Sequence, residues 1–136
     1  MAQERSGLMP FNGSLGRAVC LVGALLWAAL LYYLSDQPTV VDLQAFEYQD
    51  KAVHVFAYAV LGILLMGALR AGSNGYRISQ LLLAASLAGT YGLLDEYHQS
   101  FVPGRDPALG DVVADVAGGL LGALLVYLLA RRSARP

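Results

Sequence analysis

The chain has 136 residues, 57% of them hydrophobic and 14% charged, with a mean hydropathy of +0.52 and a formal net charge of −1. These values exclude an ordinary soluble domain and leave a single-domain integral membrane protein. The lone cysteine, Cys20, rules out an internal disulfide. It sits at the start of an apolar run with no lipobox before it, so it reads as a small packing residue.

Residues 1–16 are polar and glycine-containing and read as a flexible tail. Arg17 leads into a first apolar run at 18–34, which holds Trp27, Tyr32 and Tyr33 as interface or helix-contact aromatics. No Ala-x-Ala-like site follows this run, so it is expected to be a retained helix and not a cleaved signal peptide. A loop with Pro38 and the acids Asp36, Asp42 and Glu47 precedes the second run, 52–69, which is apolar apart from His54 and Tyr58. A turn with Gly72 and Gly75 leads to the third helix, 78–97. The fourth, 111–130, is broken only by Asp115, and basic residues 132–136 close the chain.

Apolar runs of about 17–19 residues, rising about 1.5 Å per residue, cover roughly 25–29 Å each. The predicted fold is therefore an all-α bundle of four transmembrane helices. Seven of the nine Lys/Arg residues lie in the tails and the second loop. The other two loops and their helix ends hold Lys51, Arg105 and nine of the ten acids. By the positive-inside rule, both termini are expected to be cytoplasmic.

That topology brings the ionisable residues to one depth at the outer leaflet. Asp50 or Lys51, His54 and Tyr58 share a helical face. Asp95 and Glu96 end the third apolar run, and Asp115 lies one turn inward from Asp111. Charges turned inward avoid an insertion cost of about 2.5–3.5 kcal/mol each at the midplane. Asp50, Asp95, Glu96, Asp111 and Asp115 against Lys51 and Arg105 leave a formal charge of −3. Crowded carboxylates of this kind either share protons or bind a cation.

Structural roles compete at several of these positions. Asp50 and Asp111 suit helix N-termini, Asp115 could bond a neighbouring helix, His54 could be a satisfied core histidine, and Tyr58 could be a packing aromatic. Asp95 and Glu96 resist such an account, because two negative charges at a helix C-terminus oppose its dipole. Pro103-Gly104 predicts a turn with positive φ at the glycine, presenting Arg105 to neutralise the acids or to hold a ligand's phosphate or carboxylate. Gly118 and Gly122 form a Gly-x-x-x-Gly spacing for close helix approach. No nucleophile triad, phosphate loop or Cys/His zinc spacing is present in the sequence. Asp95, Glu96, His98, Asp111 and Asp115 are the residues that would hold a divalent cation if there is one.

At these residues the chain resembles the VanZ-like family of small bacterial membrane proteins. The resemblance rests on Asp50-Lys51-x-x-His54-x-x-x-Tyr58, Asp95-Glu96-x-x-Gln99, the Pro103-Gly104-Arg105 turn, and Asp111 ahead of a glycine-rich segment. It covers roughly residues 18–130. Many members carry Asn where this chain has Asp115. The resemblance implies a multi-pass protein of the bacterial inner membrane with a cell-envelope role, since the family is named for a protein associated with teicoplanin resistance. It implies no reaction.

Three functions follow as expectations. In the first, the outward site recognises a lipid head group or envelope precursor through Asp50, Lys51, Tyr58, His98, Gln99, Arg105, Asp111 and Asp115. In the second, the protein is an intramembrane enzyme with Glu96 or Asp95 as general acid/base and His54 or His98 as proton partner. In the third, the polar residues only hold the bundle together or support a larger assembly. The partner expected is a membrane lipid or envelope precursor, with no nucleic acid, and no feature of the sequence sets an oligomeric state. Ion conduction fits poorly, because the inner halves of all four runs lack ionisable residues.

Overall fold

A computed structural model describes residues 13–38, 49–70 and 76–133. Among the described residues there are four helices and no strand. They are α1 (Ser14–Ser35), α2 (Gln49–Ala68), α3 (Ile78–Gln99) and α4 (Leu109–Ser133). Each apolar run became one helix, and each helix extends a few residues beyond the run. Residues 14–16, expected in the flexible tail, are the first turn of α1, and Arg132, expected in the basic tail, lies inside α4. Residues 1–12 and 134–136 of the tails, Asp42 and Glu47, and the glycines of the second turn lie outside the described residues.

Three helices, Ser14–Ser35, Gln49–Ala68 and Leu109–Arg132, are long and apolar enough to cross a membrane. With 22 residues, α3 is long enough but carries Ser79, Gln80, Ser86, Thr90, Asp95 and Glu96. The outer surface is apolar all round: Leu15, Leu25, Leu26, Leu82, Leu94 and Val113 are all exposed. The interior is built largely from small residues, including Cys20, Ala24, Ala84, Ala88, Ala114 and Ala123. Large side chains outside and small ones inside are what a lipid solvent favours, because helices in it gain from close backbone approach rather than from burying leucine.

The closest helix pair is α2 with α4, and α4 also packs along α3. Helix α1 lies against α2 and touches α3 only lightly. The α2–α4 seam depends on glycine. A Cβ added at Gly118 would fall on the carbonyl of Val55, and one at Gly122 on the carbonyl of Ala59. The Gly-x-x-x-Gly spacing thus lets two backbones meet, as expected from the sequence.

The charges separate to the two ends of the bundle. At one end, the Arg17 guanidinium donates to the carbonyl of Arg70 at 3.3 Å. Beside it, Gln80 Nε2 donates to the carbonyl of Leu69 at 2.7 Å, joining the start of α3 to the end of α2. The opposite end gathers the C-termini of α1 and α3, the N-termini of α2 and α4, and the polar residues described next.

Candidate functional site

The polar residues of α2 and α4 meet across the glycine seam. Lys51 Nζ donates to Asp111 Oδ1 at 2.7 Å and to Asp50 Oδ2 at 3.0 Å. One turn deeper, His54 Nδ1 lies 2.8 Å from Asp115 Oδ1. Asp115 is fully buried, and its side chain fits because α3 presents Gly92 to it. A Cβ there would stand 2.6 Å from both the Cβ and Oδ2 of Asp115. A carboxylate held by one imidazole in such surroundings fixes the orientation of that ring. The His54 ring also stacks parallel to Tyr58, with centroids 6.4 Å apart.

Helix α3 adds Asp95, Glu96 and Gln99, all buried. Gln99 Nε2 donates to Asp95 Oδ2 at 3.1 Å and to Glu96 Oε1 at 3.3 Å. Glu96 Oε2 accepts the backbone N–H of Ala108 at 3.1 Å, immediately ahead of α4. Glu96 therefore satisfies an amide that the start of α4 leaves over, which is the work of a cap supplied by another helix. The two adjacent acids thus differ: both oxygens of Glu96 are engaged, while Asp95 Oδ1 is buried with no hydrogen-bond partner among the described residues.

Arg105 follows a turn in which Gly104 has φ 81, the positive value expected from Pro103-Gly104. Its guanidinium goes to the end of α1, where Nη2 donates to the Leu34 carbonyl at 2.6 Å and Nε to the Gln37 carbonyl at 2.8 Å. The expectation that Arg105 neutralises the acids is corrected here. Among the described residues it forms no ion pair, because the carbonyls at a helix C-terminus carry partial negative charge and hold the guanidinium there.

His98 is also corrected as a member of the cluster. It packs against the end of α1, with Nε2 3.2 Å from Asp36 Oδ1 and its ring 4.5 Å from that of Tyr32. His98 is three residues past Asp95 on α3, but the face it occupies meets α1 instead of α4. The group that could hold a cation among the described residues is His54, Glu96 and Asp111, each offering one ligand atom within 4.8 Å of the others. A mixed nitrogen and carboxylate set suits a borderline divalent ion. The ammonium of Lys51 already supplies a positive charge to Asp111 in that place.

A cavity of about 330 Å³ opens beside this cluster, between α1, α2 and the end of α3. Trp27, Leu30, Val53 and Phe56 are among its apolar walls, and Ser35, His54, Tyr58, Asp95, Gln99 and Arg105 form its polar end. Trp27 is fixed by its Nε1 donating to the Ala57 carbonyl at 2.9 Å, and Tyr91 by its hydroxyl donating to the Ala28 carbonyl at 2.5 Å. Three atoms at the polar end are buried without a hydrogen-bond partner among the described residues: Ser35 Oγ, Tyr58 Oη and Asp95 Oδ1. Their residues are 5%, 2% and 7% exposed.

A family model for VanZ/LLP1 matches residues 19–130, a span that takes in α2 and α3 and nearly all of α1 and α4. The chain belongs to the VanZ/LLP1 family. No curated protein and no solved structure matches it. In this VanZ/LLP1 chain the motif residues that signalled the family converge, apart from Arg105, which goes to the end of α1. Asp50, Lys51, His54 and Tyr58 come from α2, Asp95, Glu96 and Gln99 from α3, and Asp111 and Asp115 from α4. Sequence reasoning missed Ser35, Gly92 and Trp27 as parts of the site. Ser35 had a readable signal, a polar residue ending an apolar run, whereas Gly92 became meaningful only when Asp115 was found against it.

Proposed function

We propose that this VanZ/LLP1 protein spans the bacterial inner membrane four times with both termini in the cytoplasm, and that its polar site recognises the head group of a membrane lipid or envelope precursor at the outer leaflet. The observation that carries this is the cavity. It is apolar along one side, and its polar residues include three with a buried polar atom that lacks a partner among the described residues. A molecule with an apolar chain and a polar head matches both halves. The separation of Arg17, Arg70, Arg77, Arg131 and Arg132 from the acid-rich end supports the orientation. The role of α3 as a fourth span is supported by its length and by its packing along α4.

One observation favours the alternative, an intramembrane enzyme acting on a lipid-linked substrate. His54 lines the cavity, and a buried carboxylate holds its Nδ1, which leaves the other ring nitrogen to meet a ligand. This is how an imidazole is oriented as a general base. Asp95 would then be the acid that shares the cavity with it. Glu96, the leading candidate from sequence, is occupied in holding α4.

The test compares a deletion strain, its complement, and a complement carrying Asp95→Ala at matched membrane abundance. Envelope lipids and wall precursors are profiled by mass, with teicoplanin susceptibility measured alongside. Recognition predicts altered susceptibility in the deletion and the variant without a new molecular species. One species accumulating in both would favour the enzyme. If Asp95→Ala restores wild-type susceptibility in full, the cavity is not the site.

A further inference from the structure

Building on the lipid-recognition proposal, we infer that the head group taken by the cavity is polyhydroxylated, as a sugar or glycerol head is, and that Ser35, Tyr58 and Asp95 select it. The inference comes from the hydrogen-bonding needs of three atoms. Asp95 is a carboxylate whose Oδ2 already accepts from Gln99, so Oδ1 calls for a donor. Ser35 and Tyr58 each carry one O–H to donate as well as lone pairs to fill. Buried polar atoms without partners are rare and costly, and three that have none among the described residues, all on side chains that line one cavity, call for a common explanation.

Candidate head groups sort cleanly against this set. A bare phosphate monoester offers acceptors almost alone and would bring negative charge to Asp95, with Glu96, Asp111 and Asp115 nearby. A quaternary ammonium offers no hydrogen bond at all. A primary ammonium would satisfy Asp95 but leave the protons of Ser35 and Tyr58 unspent. Hydroxyl groups donate and accept together, so two or three on one head group can answer all three atoms. Arg105 stands beside the cavity with Nε and Nη2 already donating to the end of α1, which fixes its guanidinium there. A cavity of about 330 Å³ has room for a small head group and the first part of a chain.

The full-length protein in phosphatidylcholine nanodiscs provides the test. The discs are doped separately with a monoglycosyl diacylglycerol, phosphatidylglycerol, phosphatidylethanolamine or phosphatidic acid, and lipid retained on the protein is read by native mass spectrometry. The glycosyl lipid, phosphatidylglycerol or both should be retained above the other two. Tyr58→Phe and Ser35→Ala should each lower that retention about three- to tenfold, the loss of one hydrogen bond. Neither should lower the unfolding temperature of the lipid-free protein, because deleting a buried group that has no partner among the described residues removes no bond within them. Asp95→Asn should also lower retention, since it places an N–H donor or a weaker acceptor where a carboxylate was. Preference for phosphatidic acid or phosphatidylethanolamine would overturn the hydroxyl assignment while leaving lipid recognition standing. Retention of no doped lipid above phosphatidylcholine would remove both. A drop in lipid-free stability for Tyr58→Phe would show a structural partner for that hydroxyl and overturn the assignment too.

Discussion

Gly118→Ala should couple the packing of the bundle to the integrity of its polar site. A methyl at Gly118 falls on the Val55 carbonyl, a backbone atom that no side-chain rotation can move aside. The α2–α4 seam must therefore open by roughly 1 Å to restore ordinary contact. Val55 adjoins His54, and Gly118 lies one turn from Asp115, so the opening falls where His54 and Asp115 meet at 2.8 Å, with Lys51 and Asp111 at 2.7 Å one turn further. Lengthened by about 1 Å, both contacts pass the limit of a useful hydrogen bond. Bonds of this charged kind contribute about 1.5–3 kcal/mol each, so losing both costs about 3–6 kcal/mol. In a chain of this size that lowers the unfolding midpoint by about 10 °C or more, measured by circular dichroism on protein in detergent. Gly23→Ala is the control, because its methyl meets only the terminal carbons of Leu64, 3.3 Å away on a flexible side chain. A Gly118→Ala midpoint within about 2 °C of wild type, or equal losses for both variants, would refute the coupling.

Other substitutions separate roles within the site. Lys51→Met strands Asp50 and Asp111 and should destabilise by about 1–3 kcal/mol, and adding Asp111→Asn should recover part of the loss in the same melting assay. Glu96→Ala removes the partner of the Ala108 amide and should cost about 1 kcal/mol. Hydrogen exchange should accelerate at the start of α4, with Glu96→Gln close to wild type. Arg105→Lys loses the two-pronged contact with Leu34 and Gln37, so faster exchange is expected over residues 31–35. His98→Ala should change stability by less than about 0.5 kcal/mol, because its pair with Asp36 is solvent-facing. His54→Ala should impair both folding and susceptibility, and equal effects from the two histidine variants would contradict their different placement.

Much of the architecture follows from the sequence alone. Four apolar runs, separated by polar and glycine-containing turns, specify four helices, because a lipid-embedded backbone can satisfy itself in no other open form. The positive φ at Gly104 and the approach at Gly118 and Gly122 were equally readable, since each rests on what a missing Cβ permits locally. The membership of α2 and α4 in one cluster also followed, because a three- or four-residue spacing keeps Asp50, His54 and Tyr58, and likewise Asp111 and Asp115, on single faces. What the sequence could not decide is which neighbour each face meets. Asp95, Glu96 and His98 lie within one turn of α3, yet one ends against the cavity, one under the start of α4 and one beside α1. A rotation of about 100° per residue separates those directions, and only the packing of α3 among three other helices selects them. Arg105 went to the carbonyls of α1 for a related reason: the end of a helix sets out a partial negative charge that composition does not reveal. The sequence thus determined the helices, the glycines that permit close approach and the gathering of the polar residues at one end of the bundle. The tertiary structure decided which of those residues hold the bundle together and which remain available to a ligand.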